Sequence, residues 1–274
     1  MNKIINIIFF STLSFQLGYA SAWTRPKNTL FSTLEFLRES DHFNIILNDK
    51  DISSYKTTSY KLYLEYGLFE KITLGGYLKD YNFAYKYLDQ SSYLYQVKIK
   101  NDYYANLFII QNLYNKNNNL FSFEYSFYTP IKNSALSKQF NTFDTKDSFE
   151  FLILFGKDGE LKNIINYFID SRLGYRIFNN INYDRITFET TLGLRLHPTS
   201  SVEFCYEYQD HVKSDNLSNK DNTYNYYANY NSNQIKFSLN YQFLDELSTK
   251  FSYYRKFSKQ DSSGIIFSFI SEFI

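Results

Sequence analysis

The chain has 274 residues with 29 Lys plus Arg against 28 Asp plus Glu, a formal net charge of +1, so no field draws it to nucleic acid. A single cysteine, Cys205, excludes an internal disulfide, and three prolines with nine glycines argue against a disordered or solenoid chain. With 28 Tyr and 28 Phe against one Trp the chain is strongly aromatic. A codon bias toward AT-rich triplets can explain those counts, but not the order in which the residues occur.

The N-terminus reads as a secretory signal. Lys3 gives a short positive start, Ile4 to Leu17 is mostly apolar, and Ala20-Ser21-Ala22 supplies the small residues a signal peptidase accepts. The run is too short for a spanning helix and lacks a basic stop-transfer flank. Residues 1–22 are therefore expected to be a cleaved signal peptide, and residues 23–274 the mature domain.

Twelve strands are predicted in the mature chain, near 28–37, 57–68, 70–82, 103–114, 119–130, 147–156, 166–178, 184–196, 200–210, 232–243, 246–257 and 263–273. The alternation is clearest from Arg185 to Gln209. Ile186, Phe188, Thr190, Leu192, Leu194 and Leu196 take one parity, and Arg185, Thr187, Glu189, Thr191, Gly193 and Arg195 the other. After His197-Pro198-Thr199-Ser200 the pattern resumes with Val202, Phe204, Tyr206 and Tyr208 against Glu203, Cys205, Glu207 and Gln209. A period of two places successive side chains on opposite faces of a strand. These runs are about twice the ~5–6 residues common in globular strands, and they match the ~9–11 needed to cross a bilayer in a tilted barrel. Aromatic girdles at the two interfaces of such a barrel would use the many Tyr and Phe.

The connections alternate in length. Gly67 to Glu70, Asn115 to Asn118, His197 to Thr199 and Leu244-Asp245 are expected to be tight turns, and Lys157 to Ile165 a somewhat longer link. Longer polar stretches, 38–56, 82–102, 130–146 and 210–231, fall on the other side, where only Asn179 to Tyr183 and Ser258 to Ser262 are short. Short turns at one end and long loops at the other are the arrangement of bacterial outer-membrane barrels. The expected fold is all-β: a single antiparallel transmembrane β-barrel of 12 strands in a Gram-negative outer membrane, both termini periplasmic. Ten or fourteen strands are the alternatives. A soluble β-sandwich would also alternate, but with shorter strands and a polar outward face.

If the apolar parity faces lipid, the lumen is lined by Lys61, Glu65, Lys79, Glu124, Glu150, Asp170, Arg172, Arg176, Arg185, Glu189, Arg195, Glu203, Glu207, Lys236 and Lys250. Tyr63, Lys71, Thr73, Tyr77, Asn240, Gln242 and Glu272 share that face, and Arg255 is left at the outer rim. An Arg or Lys on the lipid face would cost about 2–4 kcal/mol at midplane, which forces the assignment. Register places Arg172 near Glu189 with Asp170 close by, and Arg195 near Glu203 across the turn. Such pairs either neutralise one another and stiffen a narrow barrel or form a charged constriction that selects by sign.

Catalytic residues are not evident. Asp210-His211 imitates half of the site of a barrel phospholipase or protease, but no accompanying nucleophile can be named. His42, His197 and His211 have no metal-ligand spacing, no Gly-rich phosphate loop occurs, and Cys205 reads as a small lumen-facing filler. No cofactor is expected.

Glu65-Tyr66-Gly67-Leu68 with Lys71-Ile72-Thr73-Leu74-Gly75-Gly76 resembles the "EYGL…LTLG" hairpin of small Gram-negative outer-membrane barrels. Leu173-Gly174-Tyr175-Arg176 followed by Thr191-Leu192-Gly193-Leu194-Arg195 resembles the "LGYR…TLGLR" hairpin of a largely uncharacterised proteobacterial barrel family, and Ala22-Trp23-Thr24-Arg25-Pro26-Lys27 is similar to its mature start. A looser similarity is to barrels associated with meta-pathway phenol degradation, which implies import of hydrophobic compounds. The resemblance implies fold and location more than substrate, and it carries no catalytic residue. Such barrels finish on an aromatic residue read by the assembly machinery; here Phe273 precedes a final Ile274.

The function expected is a narrow porin-like channel for small solutes. The alternative is a non-conducting structural barrel whose outer loops, 38–56, 82–102 and 210–231, meet a partner. The partners expected are outer-membrane lipids, the barrel-assembly machinery through the C-terminal strand, and small solutes, with no nucleic acid.

Overall fold

The computed structural model describes residues 22–47, 50–88, 94–132, 147–161, 165–179, 183–213, 232–257 and 262–273; all of the expected signal peptide but Ala22 lies outside them. The strands are β1 Leu30–Leu47, β2 Lys50–Phe69, β3 Ile72–Leu88, β4 Leu94–Lys116, β5 Asn119–Lys132 and β6 Ser148–Leu161. They continue as β7 Ile165–Phe178, β8 Tyr183–His197, β9 Ser200–Lys213, β10 Ser232–Leu244, β11 Leu247–Phe257 and β12 Ser262–Phe273. Each strand pairs antiparallel with its chain neighbours, and β1 pairs β12 from Leu30↔Phe273 to Asp41↔Ser262, which closes the barrel. Closure leaves no edge whose backbone groups would stand unpaired in lipid.

The chain reverses at one end through two-residue turns: Glu70-Lys71, Asn117-Asn118, Pro198-Thr199 and Asp245-Glu246. Asn117 and Asn118 both have positive φ, 52° and 61°, the backbone that a two-residue hairpin of primed type requires and that Asn tolerates. Both described termini lie at this turn end. Lys71, expected inside, is exposed in the first of these turns.

Two of the expected long loops are strand instead. β1 and β2 pair up to Leu47↔Lys50, and β3 and β4 up to Leu88↔Leu94, so the wall is tall on this side. Beyond the bilayer a hairpin needs no apolar face, and its polar sequence reads as loop although its backbone still pairs. The link expected over 157–165 is shorter for the same reason, since β6 and β7 pair to Leu161↔Ile165.

The outward face is apolar. Leu34, Leu62, Leu107, Phe151, Leu192 and Phe267 are each more than a third exposed, within a band that would be intolerable in water and is natural in lipid. Cross-strand rings brace it: Phe127 lies 4.9 Å from Phe149 and Phe204 5.1 Å from Phe237, both directly opposed in register. Such pairs contribute about 0.5–1.5 kcal/mol beyond area burial. Arg255 keeps this outward parity near the far end of β11, its guanidinium 5.3 Å from the Phe257 ring.

Candidate functional site: a charged lumen closed by an N-terminal strap

Residues 22–29 do not trail into solvent. They cross the turn end of the barrel inside the wall. Ser122 Oγ on β5 donates to the Ala22 carbonyl at 2.6 Å, and the Ala22 backbone N–H bonds Asp170 on β7. The Arg25 amide donates to Thr73 Oγ1 on β3 at 2.7 Å, while its guanidinium bonds Glu65 on β2 and lies 3.8 Å from the Phe31 ring centroid. Asn28, at φ 67°, turns the strap into β1, and its N–H bonds the Gly67 carbonyl at 2.7 Å. The strap thus spans from β1–β3 to β5–β7. The two Ala22 contacts belong to the last residue of the expected signal peptide, and a chain starting at Trp23 keeps those of Trp23 against Gly156 and of Arg25 and Asn28.

Glycines make room for it. A Cβ on Gly67 would stand 1.8 Å from the Pro26 carbonyl oxygen, and one on Gly156 would stand 2.9 Å from Trp23 Nε1. Gly67→Ala is therefore expected to undock the strap while the barrel still closes. Trp23, the only tryptophan, reports this directly: its emission should shift red and become quenchable by acrylamide. Unchanged emission would refute the docking.

Beside these polar anchors the strap also packs on apolar inward residues, where the sequence points to charged and polar ones. Phe31, Tyr63, Phe108, Ile110, Leu152 and Leu154 form a buried cluster against Ala22 and Trp23. In β4 and β6 both faces are therefore apolar at this level. Their signal in the sequence is an uninterrupted run, Leu107-Phe108-Ile109-Ile110 and Phe151-Leu152-Ile153-Leu154-Phe155, where alternation would place polar residues.

Beyond the cluster lie the charges. Lys61, Lys79, Glu124, Glu150, Asp170, Arg172, Arg176, Arg185, Glu189, Glu203, Glu207, Lys236 and Lys250 share the inward parity of their strands, with Glu65 and Arg195 nearer the turns. Arg172 Nη2 donates to Glu189 Oε2 at 2.5 Å. Glu203 does not meet Arg195, which is opposed by Ser201; it accepts from Lys250 Nζ at 2.6 Å and Asn240 Nδ2 at 2.7 Å. The reason is register: Glu203 is opposite Gly193, and the long lysine reaches it from two strands away.

Two of the inward carboxylates are held by hydroxyls. Glu150 accepts from Tyr128 at 2.5 Å and Thr187 at 3.1 Å, and Glu124 accepts from Ser126 at 2.5 Å. Toward the loop end, Arg176 stacks 3.8 Å from the Tyr128 ring and stands directly opposite Arg185. Cys205 is buried at the inward parity of β9. Among the described residues no group of His, Cys, Asp and Glu could hold a metal ion. The side chain of His211 lies outside the described residues, and His197 is exposed in a turn.

A closed twelve-stranded antiparallel barrel with an apolar outside and charged residues within has the architecture of a Gram-negative outer-membrane barrel. Solved structures agree on this fold. The chain is similar to the COG4313 outer membrane channel from Pseudomonas putida F1, with TM-score 0.61 and 9% identity over 94% of this chain and 100% of that one. It is similar to the transport unit of the autotransporter AIDA-I from Escherichia coli, with TM-score 0.57 and 9% identity over 98% and 97% of the two chains. The NanC porin matches with TM-score 0.53 and 5% identity over 88% of this chain and all of that one. No protein-family model matches the chain, and no curated protein matches it in sequence.

Proposed function

We propose that the mature chain resides in the outer membrane of a Gram-negative bacterium, its turn end periplasmic, and passes small solutes passively through its lumen without chemical change. The observation that carries this reading is the charged column above the strap. Lys61, Lys79, Asp170, Arg172, Glu207 and Lys236 all retain partial exposure inside the wall, the Arg172 side chain 29%. A barrel needing only stiffness could fill that volume with apolar side chains, as this one does near its turns. Sharing a fold with an outer membrane channel and a porin supports the reading. Strand β12, with Phe273 outward at its end, is the segment offered to the assembly machinery.

The strap and the cluster around it lie across the turn end, and on this reading passage requires the strap to move. Planar-bilayer recording of the refolded chain from residue 23 onward should show small, flickering conductance steps. A correctly folded barrel that never conducts and admits no solute to liposomes would refute the channel. The strap and the buried ion pairs would then mark a non-conducting barrel that acts through its outer surface.

A further inference from the structure

The lumen charges are sorted by sign around the circumference. Lys61 and Lys79 stand on β2 and β3, and Lys236 and Lys250 on β10 and β11; with β12 and β1 these strands make one continuous half of the wall. The carboxylates Glu124, Glu150, Asp170, Glu189, Glu203 and Glu207 stand on β5 to β9, the facing half. Each half also holds charges of the other kind. Glu35 on β1, buried and opposite Lys61 in register, lies in the field of all four lysines. Arg172 on β7 lies in the field of Glu189, Glu207, Glu124 and Glu150, and its charge also reaches Lys61 across the lumen.

These exceptions leave each half its sign. Lys250 is paired with Glu203 across β10 and Arg176 stands opposite Glu150, which leaves Lys61, Lys79 and Lys236 against Glu35 on one side, and Glu124, Glu150, Asp170, Glu189 and Glu207 against Arg172 and Arg176 on the other. Of the other inward charges, Arg25, Glu65 and Glu272 act on one another around the strap, Arg195 lies near the turns, and Asp102, Arg185 and the Lys256–Glu39 pair lie toward the loop end. Opposed walls of low dielectric focus a field across the path. A singly charged ion drawn to one wall is repelled by the other, and an uncharged solute gains little. A small molecule carrying both an ammonium and a carboxylate aligns with the field and satisfies both walls.

We infer that this lumen selects by dipole, and that its substrate class is small zwitterions. The inference rests on the channel reading above. Liposome swelling driven by glycine and by its uncharged isostere glycolamide tests it, alongside reversal potentials in a KCl gradient. Glycine is expected to enter several-fold faster, with a reversal potential near zero. The double variant Lys61→Gln/Lys236→Gln should abolish the glycine advantage and shift the potential toward cation selectivity. Glu35→Gln, nearly isosteric and able to carry the test if the double variant misfolds, should shift it toward anions. Equal entry of glycine and glycolamide, or potentials unmoved by Glu35→Gln, would overturn the inference while leaving a channel. No flux of any solute would instead remove the channel reading itself.

Discussion

Arg25→Ala should release the strap, raising conductance several-fold and moving Trp23 emission to the red. Arg25 is the strap's main anchor: its guanidinium bonds Glu65 and packs on Phe31, and its amide holds Thr73. The pair is dry, with side-chain exposures of 5% and 1%. Removing one partner of a buried ion pair strands the other charge, which costs about 3–5 kcal/mol. The Tyr63 hydroxyl, which donates to Glu65 at 2.5 Å, offsets only part of that. The barrel's interstrand hydrogen bonds do not involve Arg25, so the loss falls on docking. A loss of that size lowers the docked-to-undocked ratio by roughly two to four orders of magnitude, at about 1.4 kcal/mol per tenfold. Arg25→Ala/Glu65→Gln separates the contributions: it removes the stranded carboxylate and should recover thermal stability, but not the closed state. Wild-type conductance in both variants would show that the strap does not gate the lumen.

Leu192→Arg should block assembly, whereas Arg195→Leu should assemble. The two residues lie three apart on β8, on opposite parities. Leu192 is 42% exposed on the outward face, opposed by Ile169 and Phe204, and an arginine there must enter hydrocarbon. The cost is about 2–4 kcal/mol at midplane, large against a marginal folding free energy. Arg195 faces inward near the turn, beside Asn166 and Ser201, and no carboxylate is directly opposite to be stranded by its removal. Heat-modifiable migration of the two variants on unboiled gels gives the comparison. Equal folding of both would reverse the assignment of faces.

Parity made the barrel readable before any coordinates. A one-residue slip in a strand would turn its lipid face to the lumen, so in a run such as Arg185 to Gln209 each residue declares its side. Strand number and the Arg172–Glu189 pair follow from that alternation and from the turn signals. The hairpin extensions of β1–β4 were not legible, because beyond the membrane no apolar face is required and the alternation stops. Nor was the Lys250–Glu203 pair, which joins strands that are not neighbours and depends on side-chain reach across β10.

The strap was hidden for a different reason. Trp23-Thr24-Arg25-Pro26 has no periodicity, and its place is set by partners far along the chain: Glu65, Thr73 and Gly156. The sequence alone determines which side chains face lipid, because every strand must separately solve the same transfer problem between water and hydrocarbon. Only the closed barrel decides what fills the inside and which charges meet across it. Those contacts join residues on different strands, and their distances exist only once the sheet has curved and β1 has paired with β12.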